Sequence, residues 1–481
     1  MTSIRACLIT AALLAAGVAQ AQTAPATKAE DSSLTWKGIT LYGIVDLGLQ
    51  YDTHSAPFSD YFPAVSGSLV QKNDYDSPTG LASNNLSQSR IGISGNEPIW
   101  GDWAGIFRFE TFFNPQSGDI SDALKSVALN NGKGCTAAAC SQTVGVDSSI
   151  AGQLFSGVAV VGLSSPTVGT FTFGRNVTLL ADGIGKYDPM GAAQAFSVIG
   201  FSGTAAGGGD TEDRRLDQSA KYYAKYDWLH LGAMYQFGSA SGSTNTGYQL
   251  QVGFDYAGLS MDAYYFKKYD AISVGSLSAA QVSALQSGNC AAAPAPTPPA
   301  GNPCYSINNS LSGTISDNET YMVTGLYSFG ASLPLKLYAG YEHIAFNNPS
   351  DVLPVGTVII GGYVLAAVNN AAYDNQKTLE VFWAGLKYSL MPNLDVVAAY
   401  YGYNQNNYAP TADQAACAAN KTSHAQCSGT ENAVSLLFDY RMSKRFDAYA
   451  GSMWSGVQDG LANGYLNKDN IATTVGVRFK F

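Results

Sequence analysis

A chain of 481 residues with 26 Lys and Arg against 36 Asp and Glu carries a formal net charge of −10, which argues against nucleic acid as a partner. Hydrophobic residues make up 46 % and charged ones only 13 %, about half the usual charge of a soluble globule, while Tyr (29), Phe (21) and Gly (51) are plentiful. Past residue 21 no apolar run approaches about 18 residues, so no transmembrane helix is expected, and the composition points to an all-β barrel whose outer face meets lipid.

In chain order, Met1–Arg5 with one basic residue, an apolar run from Ala6 to Val18 and the small-residue site Ala19-Gln20-Ala21 read as a secretory signal peptide over 1–21. Cys7 leaves with it. Residues 22–37 form a solvated lead-in, and 38–481 the barrel. The first strand, Gly38–Tyr51, places Leu41, Val45, Leu47 and Leu49 on one face and Thr40, Tyr42, Asp46 and Gln50 on the other. After the polar stretch 52–87 come Ser89–Gly95, a turn over Asn96–Asp102, and Trp103–Phe113. A long loop (114–153) separates these from Phe155–Leu163 and Gly169–Arg175, and a second long loop spans 177–215. Asp217–Tyr226, His230–Gly238, Tyr248–Tyr256 and Leu259–Lys268 follow, with tight turns at Asp227-Trp228 and Ala257-Gly258. Beyond the loop 270–316, strands at 319–329 and 335–346 precede the loop 347–377. The next pairs flank Met391-Pro392-Asn393 and Met442-Ser443-Lys444, with the loop 406–430 between them. The last strand, Ile471–Phe481, alternates Ile471, Thr473, Val475, Val477, Phe479 and Phe481 against Ala472, Thr474, Gly476, Arg478 and Lys480.

Sixteen strands are therefore expected, joined by connections that alternate long and short. A transmembrane β-barrel with short periplasmic turns and long external loops gives that order, and an even strand count returns both ends to the periplasm. Six cysteines form three local couples, Cys135 with Cys140, Cys290 with Cys304 and Cys417 with Cys427, all in long connections. In an exported chain each couple is a candidate disulfide. His424 beside Cys427 is the lone metal-ligand candidate, without the spacing of a zinc site, so neither metal nor cofactor is expected.

The ordered set Leu41-Tyr-Gly-Ile-Val-Asp46, Ser89-Arg-Ile-Gly-Ile-Ser-Gly95, Phe107-Arg-Phe-Glu110, Val161-Gly-Leu-Ser164, Gly169-Thr-Phe-Thr-Phe-Gly-Arg175 and the final Phe481 resembles the general diffusion porins of beta-proteobacteria. The resemblance implies a sixteen-stranded antiparallel barrel, usually a homotrimer, whose third external loop, here 177–215, folds inward. An alternating last strand ending in Phe, as at Phe481, resembles the signal read by the outer-membrane assembly machinery. The implied partners are outer-membrane lipid, ions and small hydrophilic solutes.

Charged side chains at a constriction filter ions by sign. Parity supplies candidates. Ile91 and Ile93 outside put Arg90 inside, Phe107 and Phe109 outside put Arg108 and Glu110 inside, and Arg478 and Lys480 face inward in the last strand. Arg175 shares parity with Phe171 and Phe173, so only a bulge or the loop start turns it inward. The resemblance implies that Arg90 and Arg108, joined by Arg175 if it turns inward, face Asp182 and Asp188 on the inward loop, with Asp213, Arg214 and Arg215 where that loop returns to the wall. The four His (54, 230, 343 and 424) lie beside no recognisable nucleophile motif, so no enzyme is expected. A substrate-specific outer-membrane channel and a non-conducting adhesin or structural barrel are the alternatives.

Overall fold

The computed structural model describes residues 34–55, 76–121, 154–199, 214–238, 246–277, 311–350 and 367–481, with a few isolated positions between them. Sixteen strands form its wall: β1 (Ile39–Asp52), β2 (Arg90–Trp100), β3 (Trp103–Phe112), β4 (Ala159–Ser165), β5 (Gly169–Val177), β6 (Arg215–Tyr226), β7 (Leu229–Gln236), β8 (Gly247–Tyr256), β9 (Leu259–Ser276), β10 (Leu311–Ser328), β11 (Leu335–Asn347), β12 (Lys377–Met391), β13 (Leu394–Gln405), β14 (Gly429–Arg441), β15 (Phe446–Asp459) and β16 (Asp469–Lys480). Each pairs antiparallel with its sequence neighbours, and β16 closes onto β1 with Ile44 opposite Lys480 and Asp52 opposite Ala472. The sheet is a closed barrel without a free edge.

Period-two sequence becomes two chemically distinct faces. Leu41, Leu49, Ile91, Ile93, Phe173, Leu250, Val252, Val323, Val434 and Leu436 are exposed on the outer face. Their alternates Asp46, Gln50, Gln249, Thr324, Ser435 and Thr474 are buried on the inner one. Aromatic pairs stud the outer rims, with Trp100 stacked on Trp103 at 6.4 Å and Phe479 on Phe481 at 6.1 Å near the tight turns. Tyr265 packs on Tyr321 at 5.1 Å toward the other end. That is the amphipathic belt a lipid-facing barrel needs. The turn Ala257-Gly258 has positive φ at both residues (49° and 86°), the hairpin geometry whose twist matches the flanking strands and in which Gly sits without strain.

The structure adjusts several strand limits. β2 runs on to Trp100, because Asn96, Glu97 and Pro98 remain paired with Ile106, Gly105 and Ala104 instead of turning. β4 begins at Ala159; Phe155 instead stacks on Phe109 at 5.0 Å, and Ser156 accepts the Phe112 amide. β9 and β10 extend to Ser276 and from Leu311, well into the stretch expected as loop. A register shift between Lys268 and Ala271, with Asp270 at φ 50°, breaks the alternation there without ending the ladder. Thr79–Ser83 adds a short strand on the upper half of β1, opposite Leu47–Tyr51.

Cys417 and Cys427 form a disulfide (Cα–Cα 5.3 Å) that ties the short helix Gln414–Ala419 to the start of β14. The signal-peptide segment and the couples Cys135–Cys140 and Cys290–Cys304 lie outside the described residues.

Leu436 lies on the outer face of β14. Leu436→Arg is expected to lower the unfolding free energy in lipid vesicles by about 2–4 kcal/mol. A loss below about 1 kcal/mol in urea titration would place Leu436 at the edge of the apolar belt instead of its middle.

Candidate functional site

The inner faces of β1, β2 and β3 bring Tyr42, Arg90, Arg108 and Glu110 together. Arg108 Nη2 donates to Glu110 Oε2 at 2.7 Å, and its Nε donates to the Tyr42 hydroxyl at 2.8 Å. Arg90 Nε stands 3.4 Å from the same carboxylate oxygen. Exposure is unequal: the Glu110 side chain is 3 % exposed, Arg90 30 % and Arg108 45 %. The carboxylate therefore lies beneath two guanidinium groups, and water inside the barrel meets the cations.

Arg175 follows Gly174, whose φ of +126° coincides with a register shift between β5 and β6. The bulge re-aims Arg175 away from the outer parity of Phe171 and Phe173. It is buried, donates from Nε and Nη2 to the Ser156 carbonyl (3.3 and 3.2 Å), and pairs with Asp217 Oδ1 at 2.5 Å. Arg215 opens β6, donates to the Gly157 carbonyl at 2.8 Å and lies over the Phe112 ring at 4.7 Å. Arg214, whose carbonyl accepts the Thr178 amide at 3.0 Å, is half-buried beside it. Arg175 and Arg215 thus hold the neighbouring carbonyls of Ser156 and Gly157, and the Gly157 amide donates to the Glu110 carbonyl at 3.0 Å, which joins them to the Arg90–Arg108–Glu110 group.

Segment 178–199, which follows β5, packs against inner-face side chains of other strands. Thr178 caps α1 (Leu179–Tyr187) by accepting the Ala181 amide at 3.1 Å, and Leu179, Leu180, Ile184 and Tyr187 form its buried face. Hydrogen bonds then hold the segment to inner-face side chains of distant strands. Trp383 Nε1 on β12 donates to the Tyr187 carbonyl at 3.0 Å, the Tyr187 hydroxyl donates to Asp262 on β9, and Tyr401 on β13 donates to Asp188 Oδ1 at 2.5 Å. Phe196 meets Tyr449 of β15 edge-on at 6.5 Å. Gly385 permits the close approach: a Cβ there would lie 2.4 Å from Pro189 and 2.5 Å from the Ala398 carbonyl oxygen.

The two acids of this segment differ. Asp182 is exposed and pairs with Lys221 of β6. Asp188 is buried and accepts the amides of Met190 (3.1 Å) and Ala192 (2.8 Å) as well as the Tyr401 hydroxyl; burial pushes its carboxyl up from the ordinary range. It fastens the turn after α1 and presents no charge to water. Lys186, also exposed, reaches Asp262 at 3.0 Å.

Arg478 stands apart from the β2–β3 arginines. It binds Asp447 through Nε (2.9 Å) and Nη2 (2.6 Å) and donates to Ser87 at 2.7 Å, with Lys480 2.8 Å from the same Asp447. Phe481 exchanges backbone hydrogen bonds with Gly43 (3.0 and 3.1 Å), extending the β1–β16 seam. The sequence reading missed Asp217, Asp262 and Asp395; parity placed Tyr42 inward, but only the cross-strand register shows that it bridges Arg108 and Glu110. No group of three or more His, Cys, Asp or Glu side chains placed to hold a metal ion occurs among the described residues.

A family model described as "Gram-negative porin" matches residues 8–459. An outer membrane porin protein of Bordetella pertussis is 26 % identical over 287 residues, covering 58 % of this chain and 54 % of that protein, so the chain spans about half the length of this curated relative. The anion-selective porin from Comamonas acidovorans superposes with a TM-score of 0.56 at 17 % identity over 92 % of this chain and 99 % of that one. The outer membrane protein OmpT of Vibrio cholerae gives 0.51 at 13 % over 94 % and 100 %.

Asp188→Ala removes the acceptor for one buried hydroxyl and two amides, each worth roughly 1–3 kcal/mol when left unpaired. Amide exchange at Met190 and Ala192 is expected to quicken at least tenfold while β12 and β13 stay protected. Unchanged exchange would show that the turn holds without its carboxylate.

Proposed function

Because the chain belongs to the Gram-negative porin family, we propose that its barrel is a water-filled outer-membrane channel for passive diffusion of ions and small hydrophilic solutes, assembled as a homotrimer and performing no chemistry on what passes. In this reading the tight turns and both chain ends face the periplasm, and the long connections face outward. Segment 178–199 folds into the lumen and narrows it. The support is its set of partners, which are inner-face side chains from β9 to β15.

The filter favours anions. The carrying observation is the layering of Arg90 and Arg108 over Glu110, with the cations toward water and the counter-charge recessed. Among the described residues of that loop no matching acidic rim occurs: Asp188 is buried, Asp182 is paired with Lys221, and Lys186 is also exposed there. A small anion nearing the constriction meets guanidinium first, and a fixed cation in a narrow, low-dielectric passage raises local anion concentration. The Comamonas porin is described as anion-selective; the reading for this chain rests on its own arginines.

Single-channel recording of refolded protein in planar bilayers under a KCl gradient tests this. Wild type is expected to show steady ohmic conductance with a chloride-favouring reversal potential. The Arg90→Gln/Arg108→Gln variant should shift it toward potassium, and Glu110→Gln, which uncovers the arginines, should shift it further toward chloride. A cation-favouring wild type unmoved by these changes would overturn the filter, and absence of conductance from a folded barrel would overturn the pore.

A further inference from the structure

We propose that the mouth ringed by the tight turns carries a second station for small anions, built from Lys387, Arg441, Arg478 and Lys480 and separate from the arginines of β2 and β3. The inference rests on the diffusion-pore reading above and names a further site within it. These residues sit close to the turns: Arg441 ends β14, Lys480 ends β16, and Lys387 lies near the end of β12.

Register makes them neighbours. Asp395 lies opposite Asp439, Arg441 opposite Asp447, and Asp447 opposite Arg478, so one charged inner row crosses β13 to β16, and Lys387 of β12 reaches it from the side. The layering seen at Glu110 recurs twice. Asp395 lies beneath Lys387 (2.8 Å) and Arg441 (2.5 Å), and Asp447 beneath Arg478 (2.6 Å) and Lys480 (2.8 Å). Both carboxylates are 2 % exposed, whereas Lys387, Arg441 and Lys480 are 33 %, 35 % and 40 % exposed; Arg478, 13 % exposed, lies deeper and fixes Asp447 beneath Lys480. Asp395 is further occupied by Ser389 at 2.6 Å. Asp439, 3.8 Å from Arg478, is the third acid of the row.

Ammonium and guanidinium groups that keep donors toward water bind carboxylates, phosphate and halide. Here they do so at the entrance, where they gather anions before the constriction sorts them. Their reach is set by screening, about 10 Å at 0.1 M salt and about 3 Å at 1 M, so the station acts at low ionic strength and fades at high.

The test records from directionally inserted channels in a tenfold KCl gradient. Lys387→Gln/Arg441→Gln/Lys480→Gln should lower the chloride-to-potassium permeability ratio at least about twofold when the dilute solution bathes the tight-turn mouth, and much less with the gradient reversed. Asp395→Asn/Asp447→Asn removes the recessed acids, keeps the cations and should raise the ratio, which guards against a triple variant that folds poorly. Inorganic phosphate added on the tight-turn side should reduce wild-type chloride current more than in the triple variant. Equal ratios for wild type and both variants in either gradient, or a phosphate effect that survives the triple variant, overturn the station. If the β2–β3 variants still alter selectivity in that case, the pore reading stands and only the station falls; a silent wild type overturns both.

Discussion

Everything in this molecule depends on the hydrogen bonding of a backbone that lies in lipid. A peptide group that cannot reach water must find a partner within the chain, and only helices and closed sheets supply one for every residue. β16 meets that demand by pairing with β1 from Ile44 to Asp52, and the exchange between Gly43 and Phe481 continues the seam. Closure also sorts the side chains. Once the ladder is complete, a one-residue slip of β16 would carry Arg478 and Lys480 to the lipid side. The register of the seam and the chemistry of the lumen are therefore one constraint.

Within that constraint, side-chain length gives the inner wall its sign. Asp and Glu are short and stay near the sheet, while Arg and Lys carry their charge on long stems that reach past them into water. Glu110, Asp395 and Asp447 are nearly buried and each is overlaid by two cations. A chain with a net charge of −10 thus shows cations at two places in its lumen. Burying a carboxylate without partners would be costly, so the overlay also stabilises the wall that it electrifies.

How much of this was legible in the sequence follows from what each feature depends on. Strand parity is local, and the faces of Arg90, Arg108, Glu110 and Arg478 could be read from their neighbours. The pairing of Cys417 with Cys427 was local as well. Arg175 was ambiguous because its direction depends on a bulge at Gly174, set by the register with β6 and not by alternation. α1 carries a local signal of its own: Thr178 at the cap, with Leu179, Leu180, Ile184 and Tyr187 at helical spacing. Asp188 was legible as an acid in a loop, but its burial depends on Tyr401, more than two hundred residues away by chain numbering. Which cations share a carboxylate is likewise a property of cross-strand register, as the row from Asp395 to Arg478 shows.

The same dependence explains why the charged side of the lumen stays open. Segment 178–199 is largely apolar, and it lies where the inner wall offers aromatic surface: Tyr264, Trp383, Tyr401 and Tyr449 are buried in one cluster with Leu179, Ile184, Phe196 and Ile199. Covering those rings removes apolar area from water inside the barrel, whereas covering Arg90 and Arg108 would strip two cations of their hydration. The segment's own polar groups then complete the attachment, with Tyr187 on Asp262 and Asp188 under Tyr401. Acids spent in this way leave little negative charge to oppose the arginines. In the proposed channel, a lumen bounded so has one apolar-backed wall and one cationic wall, and its field follows from which wall the segment covers.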